Sequence, residues 1–180
     1  MVVPLTYSLD VRELRAAAPT LHAGDRVLLS GTVYTSRDAA HKRIVAALDA
    51  GSELPYPLQD TVIYYAGATP APEGLPIGAC GPTTSGRMDP FAPRLYDLGV
   101  VATVGKGGRS EEVERAILRN GGVYLCAVGG AGALAARCVT ACETIAYEDL
   151  GCEAVKRLTV RDFPLIVAID CHGGNLFRIS

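Results

Sequence analysis

The chain has 180 residues, of which 49% are apolar and 20% are charged, and its formal net charge is −2. This is an ordinary globular composition, and a domain of this length buries about 70% of the surface that its unfolded chain exposes. Nothing in it indicates binding to nucleic acid or to an anionic membrane. The amino terminus lacks the basic start of a signal peptide, and no apolar segment approaches the roughly 20 residues that span a bilayer. We therefore expect a soluble, cytoplasmic protein.

The first third of the chain predicts alternating strands and helices. An extended start at 2–8 is followed by a short helix at 11–18, which Pro19 ends. A β-branched, apolar run at 27–34 predicts a buried strand, and apolar residues at helical spacing predict a helix over 38–50. Ser36 or Asp38 is its candidate N-cap, and Gly51 ends it. Residues 61–66 predict the next strand.

The rest of the chain continues this alternation. A short helix is predicted at 90–98, a strand at 100–104, and a helix at 111–119 between the N-cap Ser110 and Gly121. A strand at 123–128 and a helix of small residues at 131–142 come next. The last segments predict strands at 154–160 and 165–170, a turn at 171–175 and a return strand at 176–179. Alternating strands and helices indicate an α/β fold, here as one domain over residues 1–180.

The cysteines do not predict a metal site on this chain. There is no Cys-x-x-Cys pair and no zinc-like spacing, and two thiols four residues apart do not make a site. We expect buried, reduced thiols that behave as small apolar side chains. The six residues are Cys80, Cys126, Cys138, Cys142, Cys152 and Cys171.

The segment Gly81-Pro82-Thr83-Thr84-Ser85-Gly86-Arg87-Met88-Asp89-Pro90 predicts a loop with three successive hydroxyl groups. Such a loop can bind an anion through backbone N–H groups and Arg87 while it presents a hydroxyl group to that anion. The alternative is a turn whose hydroxyl groups only cap the next element. Composition does not decide between the two.

Two other cationic residues are candidates for binding an anion. Arg37 lies where the strand at 27–34 passes into a helix, and it can hold a carboxylate with two charge-assisted hydrogen bonds. The alternative is a surface arginine that is paired with Asp38. Lys106, in a Gly-Lys-Gly-Gly loop before a helix, suits a dianion, although Gly107 replaces the Ser/Thr of a nucleotide-binding P-loop. His41, one turn into the helix, is interpreted as a solvated or packing residue.

Three blocks in this order carry a family resemblance: residues 31–43, 81–89 and 104–107. They resemble the iron–sulfur-dependent hydro-lyases, the class I fumarases and L-tartrate dehydratases. The chain resembles in particular their β subunit, which is equivalent to the C-terminal domain of the single-chain enzymes. The likeness covers nearly the whole chain and implies the family's swivelling β/β/α domain.

The resemblance also implies roles for individual residues. Thr83 falls on the threonine taken as the catalytic base, and Arg37 falls on the arginine that binds a substrate carboxylate. Arg87 and Lys106 complete the implied substrate-binding set, and Asp38 belongs with Arg37 and Thr83 in the catalytic set. Cys80 departs from the small residue expected before Gly-Pro, and a thiol there is a candidate for oxidation.

The family implies a heteromer in which an α subunit carries a [4Fe-4S] cluster. The expected reaction is the reversible hydration of fumarate to (S)-malate, with the conversion of L-tartrate to oxaloacetate as the close alternative. A third possibility is a non-catalytic anion-binding or regulatory module with the same fold.

Overall fold

The computed structural model describes residues 3–127 and 132–178. The strands in these ranges are β1 (Thr6–Asp10), β2 (Arg26–Thr35), β3 (Val62–Tyr64), β4 (Ala102–Gly105), β5 (Val123–Ala127), β6 (Val139–Ala146) and β7 (Val155–Ile169). The α-helices are α1 (Leu14–Ala17), α2 (Asp38–Ala50), α3 (Ala92–Asp97), α4 (Glu111–Asn120) and α5 (Gly132–Cys138). None of the helices in these ranges is long and apolar enough to cross a membrane.

Five of the strands close into a barrel. β2, β3, β4 and β5 are paired side by side in parallel, and β7 pairs antiparallel with both β5 and β2. β1 extends the sheet beyond β2, and β6 pairs with β7. Because four barrel strands are parallel, their carboxyl ends lie at the same end of the barrel. The mixed α/β class is thus confirmed, whereas the swivelling β/β/α topology and the single domain 1–180 stay predictions.

The strand β7 bends near residue 162 but does not end there. The sequence predicts two strands here, separated near Asp162 and Pro164, but the structure has one strand across both. The bend is a bulge: Asp162 has a φ of 49°, its N–H donates to Ser30 Oγ at 3.0 Å, and the register with β2 shifts between Leu29 and Gly31. A bulge of this kind increases twist without ending the strand.

Two helices match their predictions closely. α2 ends at Gly51, which adopts a left-handed conformation, but Arg37 is its N-cap and neither Ser36 nor Asp38 caps it. Ser36 Oγ instead lies 2.8 Å from the hydroxyl oxygen of Tyr56. α4 begins after Ser110, whose hydroxyl group accepts a hydrogen bond from the backbone of the helix as predicted.

In the last third of the chain, one predicted helix is too long and one predicted strand is wrong. The helix predicted over 131–142 ends at Cys138, and residues 139–146 form β6 along β7; residue 131 lies outside the described residues. Pairing with β7 outweighs the weak helical preference of a segment that contains Val139 and Ile145. The return strand predicted at 176–179 is instead a 3-10 turn over Leu176–Arg178, and residue 179 is outside the described range.

Candidate active site

The candidate residues gather at the carboxyl ends of the parallel strands. Arg37 follows β2, and Lys106 directly follows β4. The loop at 81–90 crosses between the ends of β3 and β4. In parallel α/β sheets, whether open or closed into a barrel, ligands bind at this end of the strands, because loops and helix starts converge there.

Backbone hydrogen bonds hold the Thr83 loop between two strand ends. The N–H of Thr83 donates to the carbonyl of Tyr65 at 2.6 Å, just beyond β3. Thr84 forms an isolated bridge with Lys106, and the N–H of Ser85 donates to the Lys106 carbonyl at 2.9 Å. The structure therefore places the backbone of the Thr83 loop against residues 65 and 106, at the ends of β3 and β4.

One residue in the middle of this loop is buried. Ser85 is completely buried, and its Oγ lies 2.7 Å from the hydroxyl of Tyr124, which also lies 2.8 Å from the carbonyl of Gly107. A Cβ atom at Gly105 would overlap the Ser85 hydroxyl, so this close approach requires glycine. Thr84 is exposed. Ser85 thus shapes the loop.

Arg37 and Arg87 belong to a chain of alternating charges. Arg87 Nε donates to Asp38 Oδ1 at 3.1 Å, and Asp38 Oδ2 lies 3.9 Å from Arg37 Nη2. On its other side, Arg37 Nε lies 3.2 Å from Glu153 Oε1. Within the described residues, no ion pair includes Lys106, which is exposed. The alternative pairing of Arg37 with Asp38 is therefore present, and Asp38 also joins Arg37 to Arg87.

Arg37 lies in a narrow slot. Its side chain is 23% exposed, and a Cβ atom at Gly67 would come within 3.2 Å of Arg37 Nη1. That distance is tighter than ordinary van der Waals contact. Gly67 therefore makes room for the guanidinium group beside the end of β3.

His41 is a packing residue and not a solvated one. It is completely buried, and its ring stacks on Phe91 and meets the edge of Tyr65, each with a centroid distance of 5.6 Å. Burial lowers the pKa of His41 to about 4, so the ring is neutral at pH 7. Its Nδ1 lies 2.8 Å from the Arg37 carbonyl. A neutral ring whose Nδ1–H donates to that carbonyl supports the backbone of Arg37.

Sequence reasoning missed two charged residues of this site. Glu153 reaches Arg37 from the turn before β7, and Arg109 Nε donates to Asp89 Oδ1 at 2.7 Å. The other Asp89 oxygen accepts the N–H of Ser110 at 2.6 Å. Neither side chain differs in sequence pattern from an ordinary surface charge. Only the fold shows that Arg109 is buried and that Glu153 faces Arg37.

The thiol next to the loop is protected. Cys80 is completely buried, and burial raises its pKa to about 12. Because the thiolate is the reactive form, the expected sensitivity of Cys80 to oxidation is not supported. In the described part of the chain, no group of three or more His, Cys, Asp or Glu side chains could hold a metal ion. Within residues 3–127 and 132–178, these side chains therefore do not form a ligand set for a cluster.

Comparison with known proteins identifies the family. Residues 5–180 match the family model described as "Fumarase C-terminus". The chain belongs to the fumarase C-terminus family. This confirms the resemblance drawn from the three sequence blocks.

The relatives that match this chain include named fumarate hydratases. The chain is 38% identical over 178 residues, 98% of its length, to "Fumarate hydratase class I, anaerobic" of Escherichia coli, of which it covers 32%. It is 41% identical over 155 residues, 85% of its length, to "Fumarate hydratase 1, mitochondrial" of Leishmania major, of which it covers 28%. The chain thus spans about a third of the length of these fumarate hydratases.

A shorter relative matches almost end to end. The chain is 39% identical over 164 residues, 88% of its length, to a protein of Methanocaldococcus jannaschii named "Putative L(+)-tartrate dehydratase subunit beta", of which it covers 84%. The family therefore includes a protein of similar extent whose name describes a subunit. This supports the comparison with a β subunit.

Proposed function

We propose that the chain is the β subunit of a heteromeric iron–sulfur hydro-lyase that reversibly hydrates fumarate to (S)-malate in the cytoplasm. The observation that supports the proposal is the placement of the Thr83 loop against Lys106, with Arg37 and Arg87 joined through Asp38. The names of the fumarate hydratase relatives support this reaction.

In this proposal the three cations bind the two carboxylates of the substrate. Arg37 takes one carboxylate with its planar guanidinium group. Arg87 and Lys106 hold the other, near the Thr83 loop. Asp38 keeps both guanidinium groups aligned, and a substrate carboxylate competes with it for Arg87. Because Arg87 is half exposed, its ion pair with Asp38 is weak enough to exchange for a ligand.

Thr83 removes the proton from the carbon next to the one that carries the hydroxyl group. A free threonine is a poor base, so its alkoxide needs nearby positive charge and backbone dipoles. Lys106 and Arg87 are the cations whose loops adjoin it. The N–H of Thr83 is already used by the Tyr65 carbonyl, so the loop holds the residue in one position.

The α partner is proposed to carry the [4Fe-4S] cluster and to complete the site. We assign binding of the carboxylates and movement of the proton to the residues of this chain. Neither subunit should then turn over substrate alone.

L(+)-tartrate dehydration is the second candidate reaction. The relative from Methanocaldococcus jannaschii favours it, because this chain covers 84% of that protein. The same three cations suit either dicarboxylate. A non-catalytic anion-binding module is the remaining alternative, and the joint presence of Thr83, Arg37, Arg87 and Lys106 argues against it.

The test is co-expression with a candidate α subunit without oxygen, followed by assays with fumarate, (S)-malate and L-tartrate. We expect a brown, oxygen-sensitive complex that interconverts fumarate and (S)-malate. The isolated chain should be colourless and inactive. Faster turnover of tartrate would select the second candidate, and an iron-loaded complex that is inactive on all three would contradict the proposal. Stoichiometric iron in the single chain would contradict the subunit assignment.

A further inference from the structure

Arg109 is a buried arginine behind the candidate active site. It lies between β4 and α4, and its side chain is 0% exposed. A buried guanidinium group is tolerated only when acceptors satisfy its N–H groups, because leaving it unpaired is costly. The partners of Arg109 therefore show what it holds in place.

The first partner is the end of the Thr83 loop. Arg109 Nε donates to Asp89 Oδ1 at 2.7 Å, and the second Asp89 oxygen accepts the N–H of Ser110 at 2.6 Å. Asp89 lies two residues after Arg87. This ion pair therefore connects the C-terminal end of the Thr83 loop, which carries Arg87, to the start of α4.

The second partner is Tyr65. Arg109 Nη2 donates to the Tyr65 hydroxyl at 3.2 Å, and its Cζ lies 5.3 Å from the centre of the Tyr65 ring. The backbone carbonyl of Tyr65 is the acceptor for the N–H of Thr83. Arg109 thus fixes the position of Tyr65, the residue whose carbonyl accepts the hydrogen bond from the Thr83 N–H.

The third partner connects Arg109 to the Lys106 loop. Its Cζ lies 4.8 Å from the centre of the Tyr124 ring, a cation–π contact. The hydroxyl of Tyr124 contacts both Ser85 and Gly107, which lie on the two loops that meet there. Arg109 Nη1 also donates to Thr103 Oγ1 in β4 at 2.9 Å, which anchors the whole group to the barrel.

We infer that Arg109 is a positioning residue that sets the relative placement of Thr83, Arg87 and Lys106. The inference rests on the proposed function for its catalytic meaning. The competing explanation is that Arg109 only stabilises the fold. The two explanations predict different effects of changing Arg109. A positioning role predicts faster hydrogen exchange in the loops alone, whereas a purely stabilising role predicts faster exchange throughout the barrel.

The test variant is Arg109→Lys. It keeps a positive charge opposite Asp89, but a single ammonium group cannot serve Asp89, Thr103 and Tyr65 at once. The matched control is Arg119→Lys, which disrupts the two hydrogen bonds of 2.7 Å between Arg119 and Asp97 on exposed surface at the end of α4. Tyr65→Phe serves as a second variant because it removes only one acceptor of Arg109.

The first readout is amide hydrogen exchange of the full chain. The N–H groups of Thr83, Ser85 and Ser110 are hydrogen-bonded across the loops that Arg109 joins. In Arg109→Lys we expect exchange at 83–89 and 105–110 to be at least about tenfold faster, with the barrel strands and the control unchanged. Tyr65→Phe should loosen 83–89 in the same local way.

The second readout is steady-state kinetics of the assembled complex. We expect kcat to fall about 10²-fold in Arg109→Lys, because a displacement of about 1 Å at the reacting groups has this effect. KM should rise as well, because Arg87 and Lys106 lie on the loosened loops, whereas Arg37 lies on another loop and still binds its carboxylate. Arg119→Lys should keep wild-type kcat.

Exchange that rises equally throughout the barrel, or no change at 83–89 in Arg109→Lys, would overturn the inference. Wild-type kcat in that variant would also overturn it. If Arg109→Lys does not fold, Tyr65→Phe decides by the same criteria. If the wild-type complex is inactive on every dicarboxylate, the proposed function fails, and hydrogen exchange still decides whether Arg109 positions the loops.

Discussion

Thr83 and Thr84 are neighbours in sequence with different surroundings. Thr83 is half-buried and its N–H is tied to Tyr65, whereas Thr84 is exposed beside Lys106. If Thr83 is the base, Thr83→Val should lower kcat by about 10²–10⁴-fold with little change in KM, because the cations that bind substrate remain. Steady-state kinetics of the assembled complex measure this loss.

Thr84→Val is the matched control and should cause a much milder loss of kcat. Proton removal can be measured directly as the exchange of solvent deuterium into malate at C3. The wild-type complex should catalyse this exchange, and the Thr83→Val complex should not. Equal exchange in the two proteins would move the base to another residue, on this chain or on the partner subunit.

The two arginines of the charge chain should not tolerate lysine. Arg37→Lys and Arg87→Lys keep the charge but lose the planar guanidinium group that matches a carboxylate. Each substitution should weaken transition-state binding by about 1.5–3 kcal/mol, the value of one charge-assisted hydrogen bond. The measurement is kcat/KM of the assembled complex with fumarate.

Arg94→Lys provides a control for the loss of an arginine ion pair as such. Arg94 is paired with Asp49 at 2.7 Å on exposed surface, so this variant should keep wild-type kcat/KM. If the Arg37 and Arg87 variants are also unaffected, these residues do not bind the substrate.

At the level of elements, the end of β4 can meet the Thr83 loop only through a glycine. Gly105→Ala places a methyl group on the Ser85 hydroxyl and within 3.2 Å of the Thr83 carbonyl. We expect it to destabilise the protein by about 1–3 kcal/mol, as overpacking does, and to lower activity more than stability implies. Urea unfolding and kcat of the complex measure the two effects.

Gly86→Ala is the control in the same region. The nearest atom to a Cβ at Gly86 is 4.0 Å away, so the change should be nearly neutral. The double variant Gly105→Ala/Ser85→Ala removes the clashing hydroxyl and should recover part of the lost stability. If Gly105→Ala is itself neutral, the two segments are not as tightly packed as described.

For the whole molecule, His41 predicts how stability depends on pH. Burial lowers its pKa from the ordinary value of 6.5 to about 4, so the unfolded chain binds more protons between these values. The stability that comes from keeping His41 neutral in the folded state is therefore fully present above about pH 6.5, and it is lost as pH falls towards 4. The pKa difference corresponds to about 3 kcal/mol.

Replacing His41 with phenylalanine should remove this part of the pH dependence. Wild type and His41→Phe are compared by urea unfolding between pH 7 and pH 4.5, and the loss of stability on acidification should be smaller in the variant. His22→Gln is the control, because the His22 side chain is 63% exposed. The same pH slope in wild type and in His41→Phe would contradict the assignment.

Local sequence determined most of the helices. α2 and α4 follow from apolar spacing and a terminal Gly51 or Gly121, because these signals act within a few residues of the chain. The family and its three sequence blocks could also be stated from sequence, since ordered motifs carry the resemblance. Thr83, Arg37 and Lys106 are therefore candidates from the sequence alone.

Only the tertiary structure decided how these parts meet. Barrel closure depends on the pairing of β7 with both β2 and β5, and long-range pairing of this kind leaves little trace in the local sequence pattern. The same holds for the surroundings of Arg109 and Glu153, whose sequence pattern is that of solvated charges. Whether a charge is buried, and against which acceptor, depends on segments far away in the chain. For that reason the sequence determined which candidate residues this protein has, and the fold decided how they are arranged in space and how far apart they lie.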